Sequence, residues 1–192
     1  MSKLNQGKWL LVFLAVTGMF TLGFISGGDD KEIHWVSFDE AVKLNKEHPK
    51  KVFIDIYTGW CGWCKKMDAS TYTDPEIIKY INKYYYAVHL DAETGDTFHF
   101  NDHKFYNPKP KTRGYTNELA SSLMDGKLAY PTTVYMDEKF NRLTYLQTYM
   151  TIDELKPILE YFAEDKYKTM KFDDFKNSIG STAGSPSNVT DK

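Results

Sequence analysis

The stretch Lys51–Asp68, KVFIDIYTGWCGWCKKMD, runs an apolar segment straight into a cysteine pair. Its first part, KVFIDIYT, is short, β-branched and aromatic, as in a strand buried on both faces. Its second part holds the chain's only two cysteines, Cys61 and Cys64, three positions apart, with Trp60 and Trp63 beside them. Such a pair is a structural bridge, half of a metal site or a redox centre. A bridge closing so few residues removes little entropy from the unfolded chain. A zinc site needs about four ligands, and the cysteines supply two. His99 and His103 would complete a set on paper, but a helix and a strand are predicted between Cys64 and His99, and a tight hairpin need not aim both imidazoles at one ion. No metal is expected, and redox chemistry fits best.

If the strand is followed by a helix beginning near Cys61, that thiol lies over a helix N-terminus, where free N–H groups and the dipole stabilise a thiolate. Cys61 is then the attacking sulfur. Cys64, one turn into the helix, is placed to resolve the mixed disulfide. Lys65 and Lys66 read as a solvated helix face that adds positive charge. Asp55 stands in the middle of the apolar strand, six residues before Cys61. A buried carboxylate is costly without a partner, so desolvation is expected to raise its pKa and fit it to exchange a proton with the resolving thiol. Its inert alternative is a hydrogen-bonded place at a sheet edge.

Outward from this stretch the pattern is that of one α/β domain. SFDE at Ser37–Glu40 fits a capping box for a helix reaching about His48 before Pro49. Asp74 caps a second helix with Pro75 in its first turn, and Tyr85–Ala92 reads as the next strand, so parallel strands with helices on both faces are expected. From 93 to 129 the pattern loosens into a hairpin turning at Asn101-Asp102, a polar loop NPKPKTRG, and a short helix capped by Thr116 or Asn117 and ended by Gly126. PTTVYMD and RLTYLQTYM form a further antiparallel hairpin. TIDELKPILEYFAEDKYK closes the domain as an amphipathic helix, with Pro157 in its first turn or kinking it. The domain is placed at 33–178, and 180–192, which has almost no apolar residue, is expected to be a disordered tail.

The 192 residues suffice for one good core. With 24 basic and 26 acidic residues in mixed order, the net charge of −2 offers no field for nucleic acid. Residues 1–28 carry Lys3 and Lys8, an apolar run from Trp9 to Ile25, and then small residues, the layout of a signal peptide or, uncleaved, of an N-terminal membrane anchor. Either places the domain outside the cytoplasm, secreted across the inner membrane into the periplasm or anchored there, where disulfides are permitted.

VFIDIYTGWCGWCKKMD, VHLDA and YPTTVYMD together resemble the thioredoxin-like superfamily, most closely the secreted thioredoxin-like proteins with a WCxWCK motif, over about Ile33 to Asp173. The resemblance implies a thioredoxin fold, a central mixed β-sheet flanked by helices. It also implies an aspartate at Asp55 and a cis-proline at Pro131, the backbone of Tyr130 pairing with an extended substrate strand. From the residues alone, Pro131 reads only as a strand-starting proline. This chain departs in an inserted hairpin and helix before the cis-proline strand, a lid, partner surface or edge guard. Its dipeptide is Gly62-Trp63 rather than the Gly-Pro of thioredoxin.

The expected activity is extracytoplasmic thiol-disulfide oxidoreduction on protein disulfides, leaning toward reduction fed by a membrane electron donor. Cys61, Cys64 and Asp55 do the chemistry, and Trp60, Trp63, Tyr130 and Pro131 hold the substrate. The cysteine pair is its own cofactor, with no other group implied. The rival readings are a redox-inactive peptide-binding or assembly module, and a metal carrier using both cysteines and a histidine.

Overall fold

The computed structural model describes residues 30–182. The predicted signal or anchor segment, and the predicted tail from 183, lie outside the described residues. The elements run β1 (Trp35–Val36), α1 (Phe38–Glu47), β2 (Lys51–Tyr57), α2 (Gly62–Ser70), α3 (Pro75–Tyr84), β3 (Tyr85–Asp91), β4 (Phe98–Phe100), β5 (His103–Phe105), α4 (Glu118–Leu123), β6 (Thr132–Met136), β7 (Arg142–Leu146), α5 (Ile152–Ala163), a 3-10 turn at Lys166–Lys168, and α6 (Phe172–Thr182).

The main sheet has the order β1-β3-β2-β6-β7. β2 lies at its centre, parallel to β3 and antiparallel to β6, as expected of a run that is apolar from Val52 to Tyr57 except at Asp55. Alternation along β2 divides the core. Phe53 packs with residues of α2, α3 and α5 on one face, and Val52, Ile54 and Ile56 pack with α1, α4 and the β4–β5 hairpin on the other. Lys51, buried at the start of the strand, is met by Glu138 at 2.6 Å and Asp165 at 2.9 Å.

Local chemistry sets the boundaries. Ser37 Oγ accepts from the Glu40 N–H at 3.1 Å; the Glu40 carboxylate turns to Lys43 at 3.9 Å. Asp74 Oδ1 accepts from the N–H groups of Glu76 and Ile77 ahead of α3. The predicted hairpin is present, with Asn101 and Asp102 both at positive φ. Asn117, rather than Thr116, caps α4, and Gly126 follows it at φ +72°.

Three expectations are corrected. The Thr151 N–H donates to Glu154 at 2.8 Å and fixes the start of α5 at Ile152, so Pro157 falls in the second turn and not the first. β7 ends at Leu146, short of the predicted Met150. The tail does not begin at 180, because α6 runs on to Thr182. Phe172, Phe175 and Ile179 make an apolar stripe at helical spacing that docks on the α5 side of the core, with Phe172 and Phe175 5.2 and 5.6 Å from the Tyr161 ring.

Phe53 is fully buried and touches the rings of Trp35, Tyr72, Tyr85 and Tyr135. Phe53→Ala is expected to cost about 3–5 kcal/mol, read as a lower urea midpoint with an unchanged slope.

Candidate active site

β2 delivers the chain to the site and α2 receives it. After Tyr57 the backbone turns once, with the Cys61 N–H donating to the Thr58 carbonyl at 3.0 Å. Cys61 is the N-cap of α2, in extended conformation, and its Sγ accepts from the Cys64 N–H at 3.1 Å. Sulfur thus stands where a serine or aspartate oxygen ordinarily caps a helix. The two cysteines are joined as a disulfide, Cys61 5% and Cys64 1% exposed, between tryptophans that are 46% (Trp60) and 57% (Trp63) exposed. Two large apolar surfaces therefore flank the disulfide.

Asp55 is 1% exposed at the centre of the sheet, which overturns the edge alternative. Tyr72 donates its hydroxyl to Oδ1 at 2.9 Å. Oδ2 lies 3.2 Å from His89 Nε2, an ion-pair distance whose direction is not aligned as a hydrogen bond, so neither atom is formally satisfied. His89 faces Asp55 across the β2–β3 ladder and is held between the rings of Tyr57 (4.0 Å) and Trp35 (4.9 Å). Its Nε2 is also 3.7 Å from Asp68 on α2, which is partly exposed. A line of titratable groups thus leads from the buried carboxylate to the surface. Burial pushes the Asp68 carboxyl above the usual carboxylate range; His89 draws it down and Asp55 pushes it further up.

Among the described residues, these same three side chains bring three candidate metal-ligand atoms within 4.8 Å of one another. His99 and His103 sit exposed on the β4–β5 hairpin and form no such group with the cysteines. The Cys-His metal set is not assembled.

The tryptophans diverge. Trp63 leans toward Tyr149, ring centres 5.4 Å apart, and Lys66 lies within 5.0 Å of both rings. Lys66 is thereby a stacking group and not simply a solvated charge. Trp60 packs edge-on against Tyr130 at 5.8 Å, and Tyr130 leads into β6 through a cis bond to Pro131. Trp60 and Tyr130 also line a cavity of about 330 Å³ with Arg113, Thr116 and Leu128. Sequence reasoning missed the residue that organises this corner. Buried Glu93 accepts from Trp60 Nε1 at 3.0 Å and from the Gly114 N–H at 3.1 Å, tying the inserted segment to the cysteine motif. It also missed His89 and Asp68, although strand alternation put His89 on the face of Asp55.

Comparison with known proteins agrees with this architecture. The Thioredox_DsbH family, described as a protein of unknown function, DUF255, matches residues 22–105. An uncharacterized protein of Archaeoglobus fulgidus is 29% identical over 84 residues, 44% of this chain and 65% of that protein, so the chain spans just under two thirds of that relative. Among solved structures, one titled DsbH oxidoreductase superposes with a TM-score of 0.50 at 15% identity, over 71% of this chain and 88% of that one. A thioredoxin-fold protein from Helicobacter pylori gives 0.51 at 14% identity, covering 69% and 81%. A thioredoxin from Thermus thermophilus gives 0.51 at 14%, covering 67% and 85%. The fold is the thioredoxin fold.

Replacing His89 removes the group that draws the Asp68 carboxyl down. In His89→Gln, Asp68 should titrate at higher pH than in the parent protein, measured by carboxyl-carbon NMR; a shift to lower pH would contradict the arrangement.

Proposed function

We propose that the protein is an extracytoplasmic thiol-disulfide oxidoreductase that acts on protein disulfides, most readily as a reductase. The observation that carries this reading is the place of Cys61, with its sulfur at the N-cap of α2 receiving the Cys64 N–H. In the reduced form that position sets a Cys61 thiolate against unpaired amide hydrogens and the positive end of the helix dipole. The thiolate attacks a substrate disulfide, forming a mixed disulfide and releasing the first substrate sulfur as a thiolate that takes up a proton from water. Cys64 then gives its proton to Asp55 and attacks Cys61 Sγ, expelling the second substrate sulfur and closing the Cys61–Cys64 disulfide. Two electrons pass from the dithiol to the substrate. A thiol donor of the membrane returns them.

Asp55 suits proton exchange because it is buried and yet in contact with groups that reach the surface. His89 and Asp68 pass its proton to solvent. Trp60 and Tyr130 form one wall of the substrate groove and Trp63 the other, with Pro131 at its base and the Tyr130 backbone opposite an extended substrate chain. The apolar segment at Trp9–Ile25 supports export, cleaved or retained as an anchor. A domain spanning 33–178, extended by α6, would then be the exported part.

Purified protein should accelerate insulin reduction by dithiothreitol, and no acceleration would reject the reading. With a disulfide substrate, Cys64→Ser should accumulate a mixed disulfide through Cys61, visible by non-reducing electrophoresis and mass spectrometry, and Cys61→Ser should trap none. The opposite pattern would reverse the two roles.

A further inference from the structure

The inserted segment carries a charge pattern unlike the rest of the chain. Between Asp102 and Glu118 stand Lys104, Lys109, Lys111 and Arg113 and no carboxylate, in a protein whose net charge is −2. All four are exposed, and none forms an ion pair among the described residues.

The cationic loop is also fixed in place. The Lys111 N–H donates to the Glu93 carbonyl at 2.8 Å and the Gly114 N–H to the Glu93 carboxylate at 3.1 Å. Asn107 Nδ2 donates to the Tyr115 carbonyl at 2.8 Å, and the Asn117 N–H donates to the Ala92 carbonyl at 2.7 Å. The same Glu93 carboxylate holds Trp60, so the loop and the cysteine motif share one anchor. Arg113 comes closest to the chemistry. Its guanidinium lies 4.5 Å from the centre of the exposed Trp60 ring and forms part of the cavity bounded by Trp60, Tyr130 and Leu128. The one carboxylate lining that cavity, Glu93, is buried and already accepts two hydrogen bonds. The cavity next to the cysteine motif thus has a largely apolar lining, with Arg113 as its exposed charge and Glu93 buried beneath.

We propose that the cationic loop selects acidic substrates: Lys109, Lys111 and Arg113 favour protein segments carrying aspartate or glutamate next to the target cysteine, with the Arg113 guanidinium receiving the carboxylate over the Trp60 face. The proposal rests on the oxidoreductase reading and names its substrate class. Unpaired cations beside a groove raise the local concentration of an anionic partner and its association rate, and added salt removes the effect. Arginine over an aromatic ring is suited to this, because its planar fork can bond a carboxylate from its edge while its face stays on the ring.

The test uses the reduced full-length protein and two disulfide-closed peptides of equal length, one with aspartate and glutamate flanking the cysteines and one with lysine. Stopped-flow tryptophan fluorescence gives the exchange rate for each, divided by its rate with dithiothreitol to remove differences in the peptides' own reactivity. At low ionic strength the acidic peptide should react at least tenfold faster, with the ratio collapsing toward one in high salt. Arg113→Gln should reduce the preference, and the double variant Lys111→Glu/Arg113→Glu should reverse it. Equal rates for both peptides, or a preference unchanged in the double variant, would overturn the proposal while leaving the oxidoreductase reading intact. No reaction with either peptide would overturn that reading and the proposal with it. Binding of the loop to phosphatidylglycerol vesicles without any peptide preference would assign the cations to a membrane surface and reject the acidic-substrate role.

Discussion

Everything at this site depends on a sulfur capping a helix. The first turn of α2 has N–H groups with no carbonyl of their own, and the side chain at the N-cap is the nearest acceptor. By placing Cys61 there, the chain makes a structural need of the helix and a chemical need of the thiol coincide. The amides that want an acceptor are those that stabilise a thiolate. The short turn after Tyr57 keeps this geometry, because β2 is clamped on both sides by β3 and β6 and cannot shift its end without breaking the sheet. The Cys61 position thereby draws its rigidity from a central, buried strand of the fold.

The same strand supplies the second component. Side chains of β2 alternate between two apolar layers, and Asp55 is the polar intruder on the α2 side. Burying a carboxylate there is tolerable because Tyr72 donates to one oxygen and His89 approaches the other. His89 is in turn held between two rings and looks toward Asp68, so the buried charge is connected to solvent through side chains. Under the proposed function, this polar line is the route by which a proton would leave the buried carboxylate.

The inserted segment is more than cover for the sheet. Its hairpin and α4 close one face of the core. Its loop does something different, coming back through Glu93 to the tryptophan of the cysteine motif. One buried carboxylate thus couples the least regular part of the chain to the most constrained.

Much of this was legible in order along the chain. The mostly apolar run of Val52–Tyr57, the caps at Ser37 and Asp74, the Asn101-Asp102 turn and the spacing of Cys61 and Cys64 are local signals, decided by neighbours within a few residues, and the structure follows each of them. α6 was missed although Phe172, Phe175 and Ile179 repeat at helical spacing, because that stripe has meaning only once the Tyr161 side of α5 is there to receive it. Glu93, His89, Asp68 and Arg113 were passed over for the same reason: each acts on a partner brought to it from another element. The sequence by itself determined where α1, β2, α3 and β3 begin and that a sulfur would stand at the mouth of one helix, since backbone hydrogen bonding and periodicity are settled over a few residues. Only the tertiary structure decided which charges meet, because burial and pairing across the sheet depend on how distant segments pack, and a single side chain carries no record of its future neighbour.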